Sequence, residues 1–228
     1  MTEPKSGPDP RRMREIHDAL ESLYPRERST LLDSHRGSPV DVLVATILSQ
    51  ATTDKLSSRA FQALKSTFPR WEDLLSAPAE DLEELIAVGG LQREKAKKLK
   101  AVLWRLQEDF GKVSLDDAAG WPLERAYGYL LSLPGVGPKT AACVLGFGFG
   151  SPAFPVDTHV LRMAKRLGLV PEKWGAAKTQ MALEKATPPD IRMPLHVMMI
   201  RHGREVCSAR KPRCGVCPLR SSCLEPST

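Results

Sequence analysis

A chain of 228 residues, 42% hydrophobic and 26% charged, has the composition of one or two globular domains with room for a sizeable core. No run of about 18 apolar residues occurs, and Met1 to Glu15 lacks an apolar centre, which argues against a membrane-spanning helix or a signal peptide and for a cytoplasmic protein with no membrane partner. Of the net charge of +6, +5 falls from Ile191 onward, where seven cations (Arg192, Arg201, Arg204, Arg210, Lys211, Arg213, Arg220) face Glu205 and Glu225; such focused charge suits a polyanionic partner.

Taken in order, Met1 to Pro10 is rich in Pro, Gly and charge and reads as a disordered tail. Met13, Ile16, Leu20 and Leu23 then predict an amphipathic helix ending near Pro25. Ser38-Pro39 with Asp41 predicts a capped helix start, and Val40 to Leu48, apolar almost all round, predicts a central buried helix, although so short an apolar run could by itself be a strand. Further helices are expected after Thr53 (Leu56, Ala60, Phe61, Leu64), at Leu82 to Ile86 before Gly89-Gly90, and from Ala96 to Phe110 before Gly111. A polar linker follows. Beyond it the spacing predicts two hairpin helices, then helices at Thr158 to Leu167, Trp174 to Lys185 and Leu195 to His202. Nothing alternates like a sheet, so the class is all-α with about ten helices.

The stretch from Leu130 to Leu145 organises the rest. Leu130 and Leu133 share one helical face, and so do Ala141 and Leu145; between them lie Gly135, Val136, Gly137, Pro138 and Lys139. Both glycines can take positive φ and admit another backbone, and Pro138 suits the first position of a helix. Successive N–H groups at the positive end of that helix would bind phosphate. Lys139 in the first turn does not help the helix, since the dipole disfavours a cation there, but a nucleophile needs the free amine. Taken alone, such a lysine is a phosphate contact more often than a nucleophile.

Cys207, Cys214, Cys217 and Cys223 are spaced C-x6-C-x2-C-x5-C, and without a secretory signal they form a metal framework rather than a disulfide one. Spacing alone leaves zinc and an iron-sulfur centre open, because only Cys214 and Cys217 are as close as a zinc pair. Cys143 falls on an apolar helix face and reads as a core residue; His159 and His202 read as packing or hydrogen-bonding residues.

The run Leu133-Pro134-Gly135-Val136-Gly137-Pro138-Lys139-Thr140 resembles the helix-hairpin-helix motif of DNA glycosylases, and the endonuclease III family in particular. Asp157, 18 residues after Lys139 in Pro155-Val156-Asp157-Thr158-His159, is similar to the aspartate of that family's lysine and aspartate pair. The four cysteines, after His202-Gly203-Arg204, resemble the family's 4Fe-4S loop, and the resemblance decides for iron. Two positions depart from the pattern. In Leu48-Ser49-Gln50-Ala51-Thr52-Thr53-Asp54, Ala51 stands where the family has its gap-filling glutamine, and Gln50 is one residue early, a turn of about 100° on a helix. Leu91 matches the leucine wedge, but Gln92 stands where an aromatic is common.

The resemblance, from Ser38 to Cys223, implies two helical domains: 32–151 with the hairpin, and 152–228 with the cluster, joined by the tail and first helix at 1–31. DNA would lie in the cleft between, touched by Gly135, Val136, Gly137, Gln50, Ala51, Leu91, Arg210, Lys211 and Arg213. It implies a monomeric, nucleoid-associated repair enzyme acting on double-stranded DNA with a damaged base or abasic site. Lys139 and Asp157 would be catalytic: oxidised pyrimidines are released and the strand is cut by β-elimination through a lysine Schiff base. The alternatives are an adenine-mismatch glycosylase of the same fold, which generally lacks this lysine and carries a further C-terminal domain, and a non-catalytic DNA-binding or iron-sulfur redox protein.

Overall fold

The computed structural model describes residues 7–25 and 38–224. Residues 1–6 of the expected tail, and the expected boundary at 31/32, lie outside the described residues. Those described form twelve α-helices joined by short 3₁₀ and π segments, and contain no strand. None of these helices is long and apolar enough to cross a membrane. The chain divides into two compact units, one formed by His35–Ser151 and the other by Met1–Ser34 with Pro152–Thr228.

The unit His35–Ser151 is built on α2 (Pro39–Leu48), in which Val40, Val42, Leu43, Val44, Ile47 and Leu48 are all buried. Each such side chain contributes roughly 1.5–3 kcal/mol by leaving water. The start of α2 is fixed locally. Ser38 Oγ accepts from Asp41 N, and Asp41 Oδ2 accepts in return from Ser38 N at 3.0 Å, which closes a capping box. Around α2 pack α3 (Asp54–Thr67, capped by Thr53), α6 (Gln92–Phe110), α9 (Pro138–Cys143) and the π turn Val144–Gly148 that follows α9. Helices α4 (Trp71–Ser76), α5 (Ala79–Ile86), α7 (Asp116–Ala119) and α8 (Leu123–Ser132) complete the unit. Of these, α4 and α7 were not expected: six and four residues are too few to show a period.

In the second unit α1 (Pro10–Leu23) packs on α12 (Arg192–Glu205), as does α10 (Thr158–Arg166), which also meets α11 (Ala176–Ala186). Met13, Ile16, Leu20, Phe154, Val160, Met163, Leu195 and Met199 share the core. Pro10 is the first residue of α1 rather than the end of a tail, because Asp9 Oδ1 caps the amides of Arg11 and Arg12 and Pro suits the first helical position. Leu23 is 42% exposed, and His17 takes the fourth buried position of α1 instead. Trp174 precedes α11, whereas α12 extends three residues beyond the expected 195–202 at each end.

Candidate active site and iron-sulfur loop

Between α8 and α9, Leu130, Leu133 and Val136 are buried and anchor the hairpin turn to the core. The Val136 N–H closes the turn on Leu133 O at 3.2 Å, so Val136 contributes packing and shape. Gly135 has φ of 72°, which only glycine adopts freely, and a Cβ there would stand 3.2 Å from Lys98 Cγ and Cδ. Gly137 does not share that conformation: its φ of −101° and ψ of 178° are extended, as the residue before a proline prefers. Nothing lies within 4 Å of the Cβ position of Gly137, so a ligand can approach its backbone. The first helical bond of α9 is Ala141 N to Gly137 O, which leaves the amides of Lys139 and Thr140 without helical acceptors. Lys139 is half-buried at the second position of α9, beside the buried Thr140 and Ala141.

Asp157 caps α10, and both of its cap bonds use one oxygen: Oδ1 accepts from His159 N at 2.9 Å and from Val160 N at 2.8 Å. The cap thus leaves Oδ2 for other work. Lys139 and Asp157 therefore each sit at the N-terminal end of a helix, one in each unit.

Gln50 and Ala51 follow α2, and Leu91 precedes α6. Ala51 and Leu91, both exposed, are the two non-glycine residues with positive φ among the described residues, at 53° and 52°. A left-handed L-residue costs about 1–2 kcal/mol and is kept only where surrounding contacts impose it. Gln50 is half-buried, and its Oε1 accepts from Lys98 Nζ at 3.0 Å. This contact was not visible in the sequence, because Gln50 and Lys98 lie 48 residues apart.

Cys207, Cys214, Cys217 and Cys223 line one cavity with Arg166, Val206, Pro212 and Arg220. None of the four is joined in a disulfide, and no three of their sulfurs lie within 4.8 Å of one another. Tetrahedral zinc would draw its thiolates to about 3.8 Å from each other. Four cysteines around one cavity, with their sulfurs spread more widely than that, fit a polynuclear iron-sulfur centre. Arg166 Nη1 donates to Cys207 Sγ at 3.2 Å, and His202 Nε2 is 3.3 Å from Cys217 Sγ with its Nδ1 3.3 Å from Tyr24 Oη. Burial lowers His202 to about 4, so the imidazole beside the cavity is neutral. Arg210 and Lys211 are exposed on the loop between the first two cysteines, whereas Arg213 gives Nε and Nη2 to Glu205 O at 2.9 and 2.6 Å and closes the end of α12. Arg166, at the far end of α10 from Asp157, was missed: no local pattern connects it to Cys207, 41 residues away.

A model of the HhH-GPD superfamily of base excision DNA repair proteins matches residues 44–189, and one of the iron-sulfur binding domain of endonuclease III matches residues 207–223, spanning all four cysteines. The chain is 36% identical over 208 residues to endonuclease III of Bacillus subtilis, covering 91% of this chain and 90% of that one. It is 38% identical over 185 residues to endonuclease III of Thermotoga maritima, covering 81% and 82%. A solved structure of a trapped endonuclease III–DNA covalent intermediate superimposes with a TM-score of 0.81 at 30% identity, over 95% of this chain and 96% of that one. The chain belongs to the HhH-GPD superfamily and, within it, to the endonuclease III family of DNA glycosylases and AP lyases that carry a 4Fe-4S cluster.

Proposed function

We propose that this enzyme removes oxidised pyrimidines from double-stranded DNA and cuts the strand at the abasic site, with Lys139 as nucleophile and Asp157 managing charge and protons. The observation that carries the reading is the placement of Lys139 in the first turn of α9, directly after the Gly135–Gly137 turn. That a similar protein has been trapped covalently on DNA supports it. The target nucleotide leaves the stack to expose C1′, at a cost of a few kcal/mol. The amides at the start of α9 and the exposed Arg210 and Lys211 hold the phosphates on which that movement turns.

Lys139 Nζ, as the free amine, attacks C1′. The C1′–N bond breaks, its electron pair leaves with the base, and a proton neutralises the departing base. Asp157 Oδ2 offers a negative charge to the oxocarbenium-like sugar and can accept the proton that the attacking amine loses. The C1′–O4′ bond then breaks, O4′ takes a proton, and the sugar opens to a protonated imine, which acidifies the C2′ proton. Loss of that proton drives β-elimination: the C3′–O bond breaks and the 3′ phosphate leaves. Cys207, Cys214, Cys217 and Cys223 would hold the 4Fe-4S cluster, which, when bound, cross-links the basic loop into one shape. Such an enzyme would act as a monomer in the cytoplasm, on the nucleoid, with 32–151 and 152–228 as its working domains and 1–31 joined to the latter.

Borohydride reduction tests the assignment. Lys139→Gln should still bind lesion duplex but form no trapped adduct on abasic DNA, and Asp157→Asn should lose base release with Lys139 in place. A trapped adduct with Lys139→Gln would move the nucleophile elsewhere.

A further inference from the structure

Two lysines one turn apart on α6 reach to the two loops that end in the strained corners Ala51 and Leu91. Lys95 is 2% exposed, and its Nζ donates to Gly89 O at 2.8 Å. Lys98 Nζ donates to Gln50 Oε1 at 3.0 Å, and its stem runs against Gly135, where a Cβ would meet it at 3.2 Å. Positions three apart share a helical face, so the two ammonium groups are neighbours. Burial, and then the nearby Lys98 charge, hold Lys95 below its usual value.

In each loop a lysine grips the chain just ahead of a residue with positive φ: Gln50 is one residue before Ala51, and Gly89 two before Leu91. A buried ammonium group is a costly way to hold a loop, and methionine would fill the same space without the desolvation penalty. What the lysines supply is direction. Each ammonium fixes one oxygen of a loop to the 19-residue helix α6, and the Lys98 stem brings the hairpin turn at Gly135 into the same frame.

We propose that Lys95 and Lys98 are positioning residues for base removal, a two-point brace on α6 that sets the Ala51 and Leu91 corners relative to each other and to the hairpin turn preceding Lys139. The proposal rests on the reading that these corners enter the gap left by the flipped nucleotide. Through the brace, filling of the gap and presentation of the sugar to Lys139 share one scaffold. Neither lysine touches the reacting atoms.

The test uses the full-length, cluster-loaded protein and a duplex with a tetrahydrofuran abasic analogue opposite 2-aminopurine, whose fluorescence reports occupancy of the gap. Lys98→Met keeps the stem against Gly135 and removes the ammonium. It should lose most of the wild-type fluorescence change and slow single-turnover base release about three- to tenfold, with DNA affinity changed less than about twofold. Gln50→Ala should cost a similar factor and the double variant no more than either alone. Lys98→Arg, which can still donate to Gln50, should recover the rate. Lys95→Met should melt no lower than wild type yet also slow base release.

If the Lys98→Met and Gln50→Ala losses multiply, or if Lys98→Met weakens DNA binding and flattens its salt dependence, Lys98 is a separate phosphate contact and the brace is overturned. A Lys95→Met enzyme with wild-type single-turnover rates removes the other half of it. Should Leu91→Ala and Gln50→Ala both leave the fluorescence of the complex unchanged, the corners do not enter the gap, and the underlying reading falls with the brace. Should those variants alter it while the lysine variants do not, the brace alone fails.

Discussion

Arg166 Nη1 lies 3.2 Å from Cys207 Sγ, and the same guanidinium donates to Ser208 O at 2.8 Å and Ala209 O at 3.0 Å. One side chain from the last turn of α10 thus holds Cys207 and the two residues that lead into the exposed Arg210 and Lys211. A donor to a ligating sulfur stabilises the more reduced, more negative cluster, so its removal should lower the reduction potential. Arg166→Met is expected to lower that potential and to lose its brown colour to a chelator faster than wild type. Arg166→Lys should fall between the two, since an ammonium restores the charge but not the forked geometry. Protein-film voltammetry and the decay of visible absorbance measure both; a potential unmoved in Arg166→Met would reduce the contact to packing.

Gly203 lies inside α12, where replacing glycine by alanine ordinarily gains about 1 kcal/mol of helix stability. Here the sign reverses. A Cβ at Gly203 would stand 2.8 Å from His159 Cβ and 3.3 Å from Arg162 Nη2, and a helix-to-helix clash of that kind costs about 1–3 kcal/mol. Arg162 also donates through Nη2 to Gly203 O at 2.7 Å and through Nε to Cys207 O at 3.0 Å, so the displaced group belongs to the cluster loop as well. Gly203→Ala should lower the unfolding temperature and weaken cluster retention. An equal or higher unfolding temperature would show that α10 can shift without cost.

How much of this was legible follows from where each determinant is written. Caps are written within four residues, and Ser38 with Asp41, Thr53 and Asp157 were all readable as helix starts that the structure forms. The central burial of Val40 to Leu48 followed from its lack of a polar face. The difference between Gly135 and Gly137 was present in the sequence as Pro138, which favours extended backbone before it, but two glycines in one turn look alike until that rule is applied. Lys95 was not legible. A lysine on an amphipathic helix is ordinarily solvated, and only the fold brings Gly89 O over its ammonium group. The same holds for Arg166, whose partners lie more than forty residues away in sequence.

Asp41 couples stability to acid. Burial by itself would push its carboxyl up, but hydrogen bonds from Lys65 and Trp71 and the Lys65 charge outweigh burial and hold it below the usual carboxylate range. Lys65 Nζ and Trp71 Nε1 both reach Oδ1 at 2.9 Å. A value lower in the folded than in the unfolded chain gives stability that is complete above about pH 5 and is lost as pH falls through the folded value. Asp41→Asn should therefore be less stable than wild type by a constant margin from about pH 5 to 7, with the margin shrinking below about pH 4. Urea unfolding across that range measures it. A margin constant down to pH 3 would mean that the carboxylate is not the source of the stability.

The displaced glutamine is the remaining question at the wedge. If Ala51 occupies the gap-filling corner, its methyl group cannot hydrogen-bond the orphaned base, and the flipped state lacks a contact worth roughly 0.5–1.5 kcal/mol, about two- to tenfold in population. Ala51 is exposed and already holds a φ of 53°, so a longer side chain there meets no new backbone strain. Ala51→Gln should then raise base-removal rates on duplexes with a stably paired thymine glycol. Pre-formed abasic sites, whose sugar flips with no base to unstack, should gain less. Gln50 stands differently, because Lys98 holds its Oε1. Gln50→Ala should slow base removal through the corner it steadies, and that loss should vanish in a Lys98→Met background. No gain from Ala51→Gln, together with a Gln50→Ala loss that persists when Lys98 is methionine, would mean that Gln50 leaves Lys98 on the DNA and fills the gap itself.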